Sequence, residues 1–333
     1  MRVSRMRGLL LKPVLLSVSV VLTLSLLLLM SGCGSEEKEI DESLRARREA
    51  RSEHTLRLVY PEWSSERASS HLFQAVLQER LGYRVELEEV PVEEMWSSVA
   101  SGEADILTGA WLPATHSDYL DAYGENLRDL GPNLEGAKIG LVVPTSTPGR
   151  QTEGTGKTGR DLVTIRSIEE LSDPEIADRF RGRIVGIESG AGVVARTEDA
   201  LDAYGLERLY RLVETNEEAM LDRVTDAIYR GEWIVFTGWK PHYAFELHNL
   251  AFLEDPKGVY GAEEAIHTMV REGFEEDFSD AFEVLERISY RPEDLERLMR
   301  WIHEDETKDP YRQALRWIEL HEEKVDSWVE GIE

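Results

Sequence analysis

From Leu56 to Val270, short apolar runs alternate with stretches whose apolar residues recur at helical spacing, and this alternation limits the fold more than any other feature. Leu56 to Tyr60 reads as a strand, and Ser69 to Leu81 as a helix carrying Leu72, Phe73, Val76, Leu77 and Leu81, ended by Gly82. Arg84 to Val90 alternates Val85, Leu87 and Val90 with charged residues and reads as a strand with one wet face. Val92 to Ser101 (helix, ended by Gly102) and Asp105 to Gly109 (strand) continue the series. Further strands are expected at Lys138–Val143, Arg183–Ile187, Tyr210–Val213, Trp233–Phe236 and Ala265–Val270. Helices are expected at Ser167–Leu171, Pro174–Phe180, Val193–Tyr204 and Glu217–Tyr229, with Phe274 to Val329 wholly helical. Such alternation predicts an α/β fold with a largely parallel, doubly wound sheet. Thr145 to Arg160 is poor in apolar residues and reads as a surface loop.

The elements group into two α/β units, so a two-lobed fold with a hinge and an interlobe ligand cleft is expected. Lobe I comprises residues 54–141 plus 257–333, and lobe II comprises residues 142–256 inserted between them. Three strands lead into loops bearing a Trp: Trp63 after Leu56–Tyr60, Trp111 after Asp105–Ala110, and Trp239 after Trp233–Phe236. In open α/β sheets ligands bind at the carboxyl ends of strands. Each Trp taken singly has a structural alternative as a cap on its own lobe. The shared position after three strands instead predicts one aromatic box. Trp96, Trp233, Trp301, Trp317 and Trp328 fall at apolar positions within elements and are assigned to cores.

A box of indole faces suits a quaternary ammonium. Such a group has no N–H to donate, and its diffuse charge is attracted by an aromatic face with about 0.5–2 kcal/mol per ring. His242, just past Trp239, is a donor for an anionic end of the same ligand; its alternative is a loop histidine bonded to backbone. Ser189-Gly190-Ala191-Gly192 opens a helix, whose free N–H groups suit a carboxylate. The run lacks both the P-loop Lys-Ser/Thr and the full dinucleotide glycine pattern, and no cofactor is implied. No nucleophile elbow and no His-Glu-x-x-His is present, so the chain does not read as an enzyme.

The chain begins as an export signal. Arg2, Arg5, Arg7 and Lys12 precede an almost wholly apolar run from Val14 to Met30, followed by Ser31-Gly32-Cys33. Residues 1–32 are read as a lipoprotein signal peptide resembling a lipobox, with Cys33 lipidated; an uncleaved single-span anchor is the alternative. Residues 33–53 are charged and polar, a flexible tether between lipid and domain. The folded part then lies outside the cytoplasm, on the outer side of the cytoplasmic membrane or in the periplasm. The net charge of −27 argues against a nucleic-acid partner. With eight Lys among its 38 basic residues, the composition is that of a hydrated surface suited to high salt.

Several stretches together resemble the substrate-binding proteins of glycine betaine/choline ABC transporters. They are Glu62-Trp63, Leu81-Gly82-Tyr83, Met95-Trp96 with Ala100-Ser101-Gly102, and Ala110-Trp111-Leu112-Pro113 with Thr115-His116. Ala137-Lys138 with Gly140-Leu141 and Val143-Pro144, Gly186-Ile187-Glu188 with Gly190-Ala191-Gly192, and Thr237-Gly238-Trp239 with Pro241-His242 complete the set. The resemblance covers about Leu56 to Val329 and implies a two-lobed periplasmic-binding-protein fold of type II-like form. It implies that Trp63, Trp111 and Trp239 box a trimethylammonium head while His242 grips a carboxylate. Backbone N–H groups near Ser64 and Ser65, or from Ser189 through Gly190 to Gly192, are secondary candidates. The implied partners are glycine betaine or a similar betaine and an ABC permease with its ATPase. Thr145-Ser146 stands where many relatives carry an aromatic residue after Val-Pro, and Ser65 offers no carboxylate to a choline hydroxyl, so a betaine is favoured over choline. The alternatives are a binding protein for choline or another small solute, and a ligand-sensing domain.

Overall fold

The computed structural model describes residues 45–145 and 163–332. The expected signal peptide, Cys33 and most of the expected surface loop after Thr145 lie outside the described residues. The chain divides into two compact units, Met1–Glu53 and His54–Glu333. In the first, residues 45–52 are helical and largely exposed. Among the described residues no helix is long and apolar enough to cross a membrane.

The second unit opens with strand β1 (Thr55–Tyr60), helix α1 (Ser64–Val76), β2 (Arg84–Glu89), α2 (Val92–Ser101), β3 (Ile106–Leu112) and α3 (Ser117–Tyr123). A long strand β4 (Leu127–Pro144) follows. Next come α4 (Pro174–Arg179), β5 (Arg183–Val185), α5 (Gly192–Ala203), β6 (Arg211–Val213), α6 (Glu217–Arg230) and β7 (Phe236–Lys240). The chain closes with α7 (Ala244–Leu247), β8 (Leu250–Phe252), β9 (Glu264–Arg271) and five helices, α8 (Phe274–Asp277), α9 (Ser279–Arg287), α10 (Pro292–Glu304), α11 (Pro310–Leu320) and α12 (Glu322–Val329). The helix ends follow elementary chemistry. Gly82, Gly102 and Gly231 take left-handed backbone at their C-termini, and the Asn216 side chain accepts from Ala219 N–H to cap α6.

The strand order is β2-β1-β3-β9-β4-β7-β5-β6, with β8 also paired to β4. The pairings β1–β2, β1–β3, β5–β6 and β5–β7 are parallel, whereas β9 and β4 run antiparallel to their neighbours. The sheet is therefore mixed rather than largely parallel, and the reason is β4. Its first half pairs with β9 from Leu127 to Ala137, and its second half pairs with β7 and β8 from Lys138 to Pro144. Gly131, Pro132 and Gly136 read as strand breakers in sequence, but they fall at register shifts where bulges absorb them.

Two further expectations shift for a related reason. Trp111 and Trp239 stand inside strands, not on the loops beyond them, because β3 runs on to Leu112 and β7 runs from Phe236 to Lys240. Gly238 does not end β7. It pairs with Gly140 of β4, and Val142 Cγ2 lies 2.6 Å from where a Cβ would stand, so the bare backbone is what lets the strands pack. Trp96, Trp317 and Trp328 are buried in the core as expected, and Trp233 and Trp301 pack partly buried against it.

Candidate ligand-binding site

Trp63, Trp111 and Trp239 line one cavity, together with Thr115, His116, Ile139, Ile187, Ala191, Gly192 and Val193; its empty volume is ≈ 290 Å³. The sheet brings the three indoles together. Trp63 forms the N-cap of α1 directly after β1, Trp111 is near the end of β3, and Trp239 pairs across β4–β7 with Ile139, another wall residue. All three are nearly buried, at 6%, 3% and 4% exposure.

Carboxylates hold two of the rings by their edges. Trp63 Nε1 donates to Glu188 Oε1 at 2.5 Å, and Trp111 Nε1 donates to Glu66 Oε1 at 2.9 Å. The N–H edge of each ring is thus spent on protein, which leaves the electron-rich face as the surface offered to a ligand. Trp239 Nε1 has no partner among the described residues; its ring meets His242 edge-on at 4.8 Å.

The polar end of the cavity is built on the loop after β3. His116 is 1% exposed, with its ring among Trp63, Trp96 and Tyr119 at centroid distances of 6.1, 5.9 and 5.7 Å. Its N–H donates to Trp111 O at 2.9 Å, and its Nδ1 accepts from Trp111 N–H at 3.1 Å. That second bond puts the ring proton on Nε2, which finds no partner among the described residues. Burial drives the His116 pKa down to about 3, so the ring is a neutral donor at physiological pH. Glu264, 4% exposed, fixes the loop by accepting from Ala114 N–H at 2.6 Å, from Thr115 N–H at 2.8 Å and from the Thr115 hydroxyl. The start of α5 closes the same end. A Cβ on Gly192 would fall 2.3 Å from Thr115 O, so only glycine allows this approach. No side chain caps α5, and the N–H groups of Gly192 and Val193, in its first turn, have no intrahelical acceptor.

The other residues singled out in the sequence stand elsewhere. His242 is buried but does not line the cavity, and both its ring nitrogens are engaged. Nδ1 accepts from Ala244 N–H at 3.0 Å, so Nε2 donates to Glu217 Oε1 at 3.0 Å. Ser64 N–H donates to the other oxygen of Glu217 at 2.8 Å, and the Ser65 hydroxyl lies 3.4 Å from Glu66 Oε1. Ser189 and Gly190 are exposed outside the cavity, and Gly190 O accepts from Tyr119 OH at 2.9 Å. In the sequence His116 stands out only as part of the stretch Thr115-His116. The signal that finds it is its place five residues after Trp111, past a proline at the end of a strand.

The arrangement offers an aromatic wall at one end and neutral N–H donors at the other, which fits a small ligand with a diffuse cation and an anion. The profile described as the substrate binding domain of ABC-type glycine betaine transport systems matches residues 54–320. The chain belongs to this family. It is 35% identical, over 160 residues, to the glycine betaine/carnitine transport binding protein GbuC of Listeria monocytogenes, an alignment covering 48% of this chain and 53% of that protein. The chain spans about half the length of the curated relatives it matches. Among solved structures, lactococcal OpuAC in its closed form with glycine betaine superposes with a TM-score of 0.73 at 35% identity, covering 83% of this chain and 99% of that one. The glycine/betaine/L-proline-binding protein ProX of Borrelia burgdorferi gives 0.74 at 33% identity, covering 84% and 97%. The fold is accordingly the two-lobed α/β fold of periplasmic binding proteins.

Proposed function

We propose that this chain is an extracytoplasmic solute-binding protein that captures glycine betaine or a close betaine and delivers it to an ABC importer. The observation that carries the reading is the convergence on one small cavity of three indoles and a histidine N–H with no partner among the described residues. The trimethylammonium head sits among Trp63, Trp111 and Trp239. The carboxylate is received by His116 Nε2–H and the N–H groups of Gly192 and Val193, so the role expected for His242 passes to His116. His242 instead orients Glu217, which reaches Ser64 N–H.

The lobes of this reading are residues 54–141 with 257–333, and residues 142–256. Trp63 to Glu188, Ser64 to Glu217 and Tyr119 to Gly190 are then bonds between lobes, formed only when the cleft shuts. Closure has to be driven by contacts absent from the open state, and these three bonds together with burial of the solute supply them. The carboxylate-bearing ligand is favoured over choline because the polar end of the cavity presents N–H donors and no carboxylate among its lining residues. Residues 1–32 act as a lipoprotein signal and Cys33 carries the lipid. Mass spectrometry of the membrane-extracted protein should find a chain that begins at a lipid-bearing Cys33, and a chain that still carries residues 1–32 would contradict the lipid anchor.

The site is tested by Trp111→Ala, measured by calorimetric titration with glycine betaine. Loss of at least tenfold in affinity is expected, corresponding to about 1.4 kcal/mol or more. Unchanged affinity in a folded variant removes Trp111 from the box.

A further inference from the structure

Glu66 is a buried acid with no cationic side chain paired to it among the described residues. It lies in the first turn of α1 at 1% exposure, and among the described residues no Lys, Arg or His forms an ion pair with it. Its carboxylate is held by Trp111 Nε1–H at 2.9 Å and by the hydroxyls of Ser65 at 3.4 Å and Ser69 at 3.5 Å. The chain makes room for it specifically. A Cβ on Gly109 of β3 would lie 2.5 Å from Glu66 Oε2, so the carboxylate rests on bare backbone. A buried carboxylate without a counter-ion is costly, and neutral donors offset only part of that cost. Burial accordingly pushes the Glu66 pKa up to about 7.

The cavity offers a cation a place near this carboxylate. Glu66 grips the edge of Trp111, whose ring lines the cavity, so the carboxylate sits behind the wall against which a cationic head would lie. A negative charge at the N–H edge of an indole also enriches its π face, which strengthens attraction for a cation. We propose that Glu66 is the buried counter-charge of the binding site: a positioning and specificity-determining residue that selects a permanently cationic head through Trp111 and gives up its proton when that head binds. This rests on the reading of the cavity as a betaine site and adds to it the group that senses the cation.

The other titratable groups around Glu66 do not mimic this behaviour. Glu217 of α6 opposes ionisation of Glu66 by like charge. Tyr290, between α9 and α10, is buried, and its hydroxyl is pushed up by burial and by the Glu66 charge, so it stays protonated. His116, at the far end of the cavity, gives the opposite sign: a carboxylate beside it favours proton uptake. Glu188 holds Trp63 in the same manner, but it is only half-buried and its charge is screened by solvent.

The experiment is calorimetric titration of the folded protein with glycine betaine between pH 6 and pH 8, in buffers of different ionisation enthalpy. The proposal expects net release of up to one proton per betaine near pH 7. It also expects affinity to rise several-fold from pH 6 to pH 8, tenfold for each unit by which the bound cation lowers the Glu66 pKa. In Glu66→Gln the release should vanish, and affinity should be low and flat with pH. Betaine binding with no proton release, with net uptake, or with release intact in Glu66→Gln overturns the counter-charge role and leaves the betaine site standing. If Glu66→Gln does not fold, the wild-type proton count decides alone. Absence of any betaine binding by the folded wild type overturns the site reading and this inference together.

Discussion

In the proposed site, His116 and the three tryptophans divide the work between a neutral donor and an aromatic wall. Removing the wall should cost more than removing an ordinary core side chain, because the cation has no hydrogen-bonded alternative: Trp239→Ala is expected to lower betaine affinity at least tenfold by calorimetry. His116 also carries a stability signature. Its folded pKa, about 3, lies below the unfolded value near 6.5, so its contribution is fully present above about pH 6.5 and is lost as pH falls toward 3. Thermal unfolding of the wild type should weaken across that window, and His116→Gln should show a flatter profile there. An equally steep profile in the variant would assign the acid sensitivity to other groups. Glu66 has the opposite sign. Its folded pKa, about 7, is above the unfolded value, so its contribution is present below about pH 4.5 and lost as pH rises through 7. Glu66→Gln should therefore raise Tm at pH 8 and change it less at pH 5.

At the scale of elements, the site depends on two close approaches. The loop after β3 is pinned by Glu264, and α5 reaches it only because residue 192 has no Cβ. Gly192→Ala should push α5 away from Thr115 and lower betaine affinity with little loss of secondary structure by circular dichroism; wild-type affinity would show that the contact has slack. Much of this scale was legible in the sequence. Val92–Ser101 coincides with α2, and the apolar runs Leu56–Tyr60 and Asp105–Ala110 overlap β1 and β3, whereas Trp233–Phe236 meets β7 only at Phe236. What escaped was structure that only tertiary pairing creates. Leu127–Ala137 contains Gly131, Pro132 and Gly136, and it becomes a strand because β9 lies beside it. Gly238 looks like a terminus until Val142 is packed over it. The choice between His116 and His242 was illegible for the same reason. Both follow a Trp and a proline after a strand, and only the fold shows that His242 is saturated by Glu217 and Ala244 while His116 Nε2 has no partner among the described residues.

On the whole molecule, the sequence carries a formal net charge of −27, whereas the proposed ligand is neutral overall. A zwitterion gains little from long-range steering, so its affinity should vary little between dilute buffer and molar salt. A steep loss with salt would point instead to a ligand of net positive charge drawn by the acidic surface. In the proposed function, three indoles and one neutral histidine recognise a quaternary ammonium that carries a carboxylate. The most direct test is calorimetric titration of the folded protein with glycine betaine, choline, carnitine and proline side by side. Binding at 1:1 is expected, with glycine betaine well ahead of choline and proline. Choline as the better ligand would contradict the role of His116, and a folded protein that binds no quaternary amine would contradict the site itself.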